Sequence, residues 1–587
     1  MQYQQAARDF CENEKQFHLG VIPTEQSNPV TRNLSAVIAK DTAAGVKTIL
    51  DADHRIGQVA ADAFKTEQYS MLVQDILRCM EEGKTVLFSS VGASGRMALQ
   101  LDAAWRRYFL HLAGQLPARR QEMLRLMETT NSLTTGGDRA LVQSVENFED
   151  YMTFGARQIQ EAGVGEGDVV VALAECGLSA SINGSAIVAD ERGCRTYYLY
   201  CNPKDILTQH LERSRKVFAR EGIIYMPLFV GNMAVSGSTR MQVTTVELLV
   251  AGAALEMAAQ EYLKKHLSQE EYAVLGTVAL TSDQYAAGFE RLSHDLRQGE
   301  ALQGLAQAVD METATYEDKG LITYITHDYL LDIMTDTTER QPTFTLPPFK
   351  RKGMEGPVSW AYVKDPLYPS DVAWQHVFLR PIKGLEWTKD DYLQMGAAQS
   401  IIDNPPKVGG QEVLKYDIGN SADETRWERR PARLVLIDIN GSGQGKVKEW
   451  YDSQIDRFDA GSVLRLGDIP GGTLSGDEIR VPVQVERTGM ELMTHLLVKL
   501  AFNVLSTATM AKMGRVWGNW MIQVLPTNKK LIDRSVRIIA NLADIPYEQA
   551  CEEFFKSYLG REAGQEYRES YVVETLKRLG FDPRAER

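Results

Sequence analysis

The 587-residue sequence is poor in the residues that announce several protein classes. Its six cysteines, Cys11, Cys79, Cys176, Cys194, Cys201 and Cys551, are scattered, with no paired spacing of the metal-binding or redox kind, so reduced thiols and a cytoplasmic home are expected. Nine histidines run from His18 to His495 without an HExxH or HxxxH pair, and no metal site is nominated. There is no excess of positive charge. The formal net charge of -14 lacks the basic surface that nucleic acid or an anionic membrane requires, so neither is expected as a partner. The start, MQYQQAARDFCENEK, has no basic and apolar leader, and no later stretch reads as apolar enough to span a bilayer. Low-complexity tracts are absent as well.

What is present is ordinary for a globular chain: 44% hydrophobic and 24% charged residues. The length exceeds what one core can organise, which points to about three domains and clefts between them. Helix-compatible sequence from Val37 to Glu82 leads into the apolar run Thr85-Val86-Leu87-Phe88, then a glycine-containing turn, then the helical pattern MALQLDAAWRRYFLHLAG. The pattern recurs at Gly167–Leu173, followed by the small-residue turn Cys176-Gly177-Leu178-Ser179, a helix, and the strand TYYLYC. Strands alternating with helices imply a parallel sheet covered on both faces. A long helix is expected at Ala251–His266 and a helical stretch over Ser268–Ala314. LITYIT and RLVLIDI are strand candidates of a second α/β domain, and helical periodicity fills the chain from Gly489 onward.

Two glycine turns therefore fall at the carboxyl ends of strands, where open α/β sheets bind ligands. Gly92-Ala93-Ser94-Gly95 offers free N–H groups, a hydroxyl and a helix N-terminus, which is phosphate-binding chemistry. Ser179 lies at the end of another strand. Ser236-Gly237-Ser238-Thr239-Arg240 adds hydroxyls just before a helix, so three turns could serve one anion.

These residues resemble the sugar-isomerase (SIS) domains of N-acetylmuramic acid 6-phosphate etherase and of the glucokinase regulatory protein. The likeness is ordered along the chain: Thr24-Glu25-Gln26-Ser27-Asn28-Pro29, Gly92-Ala93-Ser94-Gly95-Arg96, Gly136-Gly137-Asp138, Ser144–Asp150 and Ser236–Arg240. It resumes with Leu505-Ser506-Thr507, Lys512-Met513-Gly514, Gly518-Asn519 and Pro526-Thr527-Asn528-Lys529-Lys530-Leu531. About two hundred residues separate the two stretches, room for a further domain. The resemblance implies an α/β fold of two flavodoxin-like, parallel-sheet SIS domains with a helical C-terminal cap. Its expected divisions are an N-terminal helical segment (1–55), a first SIS domain (56–268), a second, divergent one (269–488) and the cap (489–587). It also implies that Gly92, Ala93, Ser94, Gly95, Ser179, Ser238 and Thr239 hold a phosphate, with Lys530 reaching it from the cap.

In the etherase that the chain resembles, two glutamates manage protons. Glu146 matches one. The place of the other is taken by Leu101-Asp102-Ala103-Ala104-Trp105-Arg106, which has no glutamate, whereas Asp336-Thr337-Thr338-Glu339-Arg340-Gln341-Pro342-Thr343-Phe344 in the second domain resembles the missing motif. Glu339 is thus the second candidate. The turn Ile325–Tyr329 lacks a glycine-serine cradle, so the second domain is expected to bind no phosphate itself.

The resemblance leaves three functions open, none requiring a cofactor. The first is a sugar-phosphate-binding regulator of the glucokinase regulatory protein kind, with a phosphorylated hexose or amino sugar as ligand and a sugar kinase as candidate partner. The second is an etherase-like carbon-oxygen lyase using Glu146 and Glu339. A sugar-phosphate isomerase is the third.

Overall fold

The computed structural model describes residues 2–587 apart from 146, 428–429, 470, 472–473, 475–476, 561–568 and 582–587. In the first half, β1 (Val86–Ser90), β2 (Thr130–Thr134), β3 (Val169–Leu173), β4 (Arg195–Tyr200) and β5 (Ile223–Pro227) form a parallel sheet in the order β2-β1-β3-β4-β5. In the second half, β6 (Leu321–Ile325), β7 (Ala361–Lys364), β8 (Ala432–Ile439), β9 (Ala460–Gly467) and β10 (Glu478–Pro482) form another, in the order β10-β9-β8-β6-β7. Read from its other edge, the second sheet repeats the first: second, first, third, fourth, fifth strand. This is the flavodoxin-like order, and in each sheet the order in which successive strands are added reverses between the first and third strands, all five remaining parallel.

Strands β1, β3 and β6 are buried along their whole length, as strands with helices on both faces must be. The helix Gly92–Gln115 follows β1, and Leu330–Phe344 follows β6. Both carry an Asp–Arg ion pair one turn apart: Asp102 with Arg106 at 3.0 Å, and Asp336 with Arg340 at 2.9 Å. Counted from that shared pair, Trp105 occupies the place of Glu339. The architectural repeat extends to this pair even though the surrounding residues differ.

The halves are joined by buried charge. Arg380 of the second sheet's half reaches Asp102 (3.1 Å) and Asp138 (2.7 Å) in the first, while Arg240 of the first reaches Asp336 (2.8 Å) in the second. Gly137, at φ 74°, allows the close approach: a β-carbon there would stand 3.1 Å from the Lys383 carbonyl.

Two helices, Gln242–His266 and Leu492–Lys512, are long and apolar enough by composition to cross a membrane, which corrects the expectation that no stretch qualifies. Both are interior, with 94% and 100% of their most apolar windows buried. Leu492–Lys512 packs on the helices Gly299–Glu317 and Leu330–Phe344 beside the second sheet. The C-terminal helices Lys529–Ala543, Tyr547–Gly560 and Tyr571–Arg578 form a separate apolar cluster with the N-terminal helix Gln2–Asn13, through Ala7 and Phe10 against Cys551 and Phe555. The ends of the described chain thus build one cap.

Candidate functional site

The cap is fastened over the first sheet by motifs from both ends of the chain. Asn519 accepts a hydrogen bond from Ser27 Oγ at 2.8 Å and donates to the Asn28 carbonyl and Thr31 Oγ1, each at 3.0 Å. Its own carbonyl accepts from the Ser236 N–H (2.9 Å), and the Gly237 N–H donates to the Thr24 carbonyl (3.0 Å). Gly237 has φ 74°, and a β-carbon there would lie 2.6 Å from Arg534 Cζ, so this turn requires glycine. Glu25, buried, is gripped by Arg534 (Nε at 3.0 Å) and Arg537 (2.8 Å). Burial opposes its charge, but the two guanidinium groups outweigh burial and hold its pKa down to about 2.

Beneath the cap, at the switch point between β1 and β3, lies a cavity. Gly92 and Ala93 from the turn after β1, Ser179 from the turn after β3, and Ser238 and Thr239 before the helix Gln242–His266 all line it. Lys530 enters from the cap. Asn528 caps its helix by accepting from the Leu531 N–H at 2.9 Å, which fixes Lys530 in the first turn. Glu339 and Thr343 enter from the second domain. Among the expected residues, Ser94 and Gly95 lie behind the wall rather than on it: the Ser94 hydroxyl is fully buried and donates to Glu247, and a Gly95 β-carbon would meet Thr134 at 2.7 Å. Glu146 falls outside the described residues.

The hydroxyls divide into two kinds. Those of Ser94 and Thr239 donate to Glu247 and Glu175. Those of Ser179 and Ser238 carry no protein hydrogen bond among the described residues, which leaves them free for a ligand at the cavity wall.

Three carboxylates that sequence reasoning passed over dominate the electrostatics. Glu175 lines the cavity in left-handed backbone geometry (φ 54°), a conformation that a glutamate adopts at a cost of about 1–3 kcal/mol. Burial lifts its pKa to about 7, with Glu149 and Glu339 adding to the rise and Lys530 and Thr239 opposing it. Its N–H donates to Glu247 at 2.9 Å, and Glu247, buried in the helix behind, is lifted by burial to about 8. Glu149 pairs with Lys530 at 2.9 Å. Burial works against both charges, yet their attraction keeps the Glu149 carboxyl below, and the Lys530 ammonium above, the ordinary range. The available signal was a single acidic residue, Glu175, directly following the apolar run VVVALA.

Arg96, 1% exposed, forms an ion pair with Glu339 and donates to the Gly92 carbonyl at 3.1 Å. The arrangement offers a phosphate two free hydroxyls and an ammonium, a sugar several carboxylates to hydrogen-bond, and a proton acceptor of near-neutral pKa in Glu175. Elsewhere, His327, Asp328 and His376 each bring a ligand atom to within 4.8 Å of the others. Arg107 stands 3.1 Å from His376 Nε2, however, so a guanidinium already occupies the approach to that nitrogen, and burial together with its charge pushes the His376 pKa down to about 3.

Residues 68–189 match the family of the glucokinase regulatory protein N-terminal SIS domain. N-acetylmuramic acid 6-phosphate etherase 1 of Bacillus licheniformis is 23% identical over 233 residues, covering 40% of this chain and 67% of that protein. The etherase of Pseudothermotoga lettingae is 29% identical over 235 residues (40% and 68%). That of Staphylococcus epidermidis is 40% identical over 161 residues, covering 26% of this chain and 55% of the relative. Among solved structures, tagatose-6-phosphate ketose/aldose isomerase from Escherichia coli aligns over 79% of this chain and 93% of its own, with 8% identity and a TM-score of 0.42.

Proposed function

We propose that this chain, a tandem SIS-domain protein of the glucokinase regulatory protein and N-acetylmuramic acid 6-phosphate etherase family, binds a phosphorylated hexose or amino sugar beneath its cap and acts as a ligand-dependent regulator. One observation carries this reading: the cavity wall is supplied by three separate bodies. Turns of the first domain offer Ser179 and Ser238, the second domain offers Glu339, and the cap offers Lys530. A ligand touching all three favours the arrangement in which they meet, and so shifts the population of domain and cap positions. A surface exposed or covered by that shift is where a protein partner, a sugar kinase by the resemblance, would be controlled.

Etherase chemistry is the second reading, supported by the similarity to etherases and by Glu175, a buried carboxylate of near-neutral pKa in the cavity. Hydrogen exchange at Lys530 and its helix, measured with and without glucosamine 6-phosphate, together with lactate release from N-acetylmuramic acid 6-phosphate, tests the two. The regulator reading expects protection without lactate. Rapid lactate release that is lost in Glu146→Gln and in Glu339→Gln would establish the lyase instead, and no response in either assay would remove the sugar-phosphate site.

A further inference from the structure

The repeated topology gives the second sheet a switch point of its own, between β6 and β8, and a cavity lies there too. Each part of its wall has a counterpart in the first site. Asp328 and Tyr329 follow β6 as Gly92 and Ala93 follow β1. Asn440, Gly441 and Ser442 follow β8 as Glu175 to Ser179 follow β3, and Asn440 (φ 52°) shares the left-handed geometry of Glu175. Arg487 to Glu491 precede the helix Leu492–Lys512 as Gly237 to Arg240 precede Gln242–His266. Where the second domain sends Glu339 into the first cavity, the first domain sends Arg107 and His111, on the helix after β1, into this one. The cap has no counterpart there, and neither do Thr135, Val145 and Glu149, which reach the first cavity from the stretch after β2. The cavity holds about 490 Å³, within the roughly 300–1,000 Å³ of small-molecule sites.

Its chemistry suits an anion attached to a hydroxylated body. Arg107 and Arg487 supply positive charge, and the Arg487 side chain is exposed with no protein partner among the described residues. Ser442 Oγ accepts from the Ile439 N–H at 3.1 Å, which leaves its own O–H to donate outward. Glu491, to which Tyr329 donates, can accept from a sugar hydroxyl. The cradle that the turn after β6 lacks is therefore provided after β8, where the sequence Asn440-Gly441-Ser442-Gly443 follows an apolar strand.

We propose that this cavity is a second ligand site, taking a sugar phosphate with Arg107 and Arg487 on the phosphate and Ser442 and Glu491 on the hydroxyls. It does not depend on the first site being occupied. Calorimetric titration of the full chain with glucosamine 6-phosphate should saturate at two equivalents, and Arg487→Ala should weaken one of them by roughly tenfold or more while leaving the other unchanged. Arg107→Gln should act on the same equivalent, and the exposed Arg487 guards against misreading a folding defect of the half-buried Arg107. Lys530→Met should remove only the other equivalent, so failure of the first site and failure of the second are read separately. No Arg487-dependent equivalent, whether the total is none, one or two, overturns the proposal.

Discussion

Arg96 of the first domain and Glu339 of the second form a buried ion pair across the domain boundary, and the second amino nitrogen of Arg96 has no hydrogen-bond partner. The pair therefore balances a guanidinium that burial already destabilises; burial lowers the Arg96 pKa and Glu339 partly restores it. Glu339→Gln should cost about 3 kcal/mol of stability by stranding that charge. Replacing both partners with apolar residues, Arg96→Met with Glu339→Leu, should recover most of the loss. Denaturant melts of the two variants check this, and equal losses in both would show that the charge balance is not what matters.

The free hydroxyls should matter more to a ligand than the engaged ones. Ser179→Ala and Ser238→Ala are each expected to weaken glucosamine 6-phosphate binding by roughly tenfold, the loss of a hydrogen bond to a charged group. Ser94→Ala removes a hydroxyl from Glu247 rather than from the cavity, so its effect on affinity should be smaller. Calorimetric affinities rank the three.

Lys530→Met should remove the share of thermal stabilisation by glucosamine 6-phosphate that comes from the site beneath the cap, leaving only the shift contributed by the second cavity. Without ligand, the variant leaves Glu149 in the cavity wall unpaired. Thermal shift with and without the sugar phosphate separates the two effects, because only the ligand-dependent shift reports the contact.

A pH signature follows from Glu247. Its carboxyl is raised from an ordinary value near 4.5 to about 8 in the folded protein, so folding favours its protonated form. Its contribution to stability is fully present below the unfolded pKa and is lost as pH rises through the window from about 4.5 to about 8. Glu247→Gln imitates the protonated acid, with an amide able to donate to Ser94 and a carbonyl able to accept from the Glu175 N–H. Measured against the native protein, this variant should gain relative stability steadily across that window. Melting temperatures of both proteins at half-unit pH steps test the sign, and a constant difference would place the Glu247 titration outside the window.

Local sequence determined the parts of this protein whose signals are local. Strands β1, β3, β4, β6 and β8 lie inside their sheets, almost wholly buried, and so read as predominantly apolar runs. The turns after β1 and β3, the SGSTR motif and the capped helix that carries Lys530 were legible for the same reason. Other strands were not: β2, TNSLT, at a sheet edge, alternates between buried and half-buried positions and carries one apolar residue, β7 has only four residues, and the interior β9, AGSVLRLG, is broken by Gly461, Ser462 and Arg465. Tertiary structure alone decided what meets what. Glu247 sits in a helix that reads as core, and only the packing of that helix behind the first turn, 153 residues away in sequence, turns it into the partner of Ser94. The resemblance already implied two flavodoxin-like sheets, but the residues of the second half do not by themselves give its strand order, which is set by crossover connections and helix packing that many unrelated sequences satisfy. From that order alone come the paired cavities and the exchange of wall residues between domains.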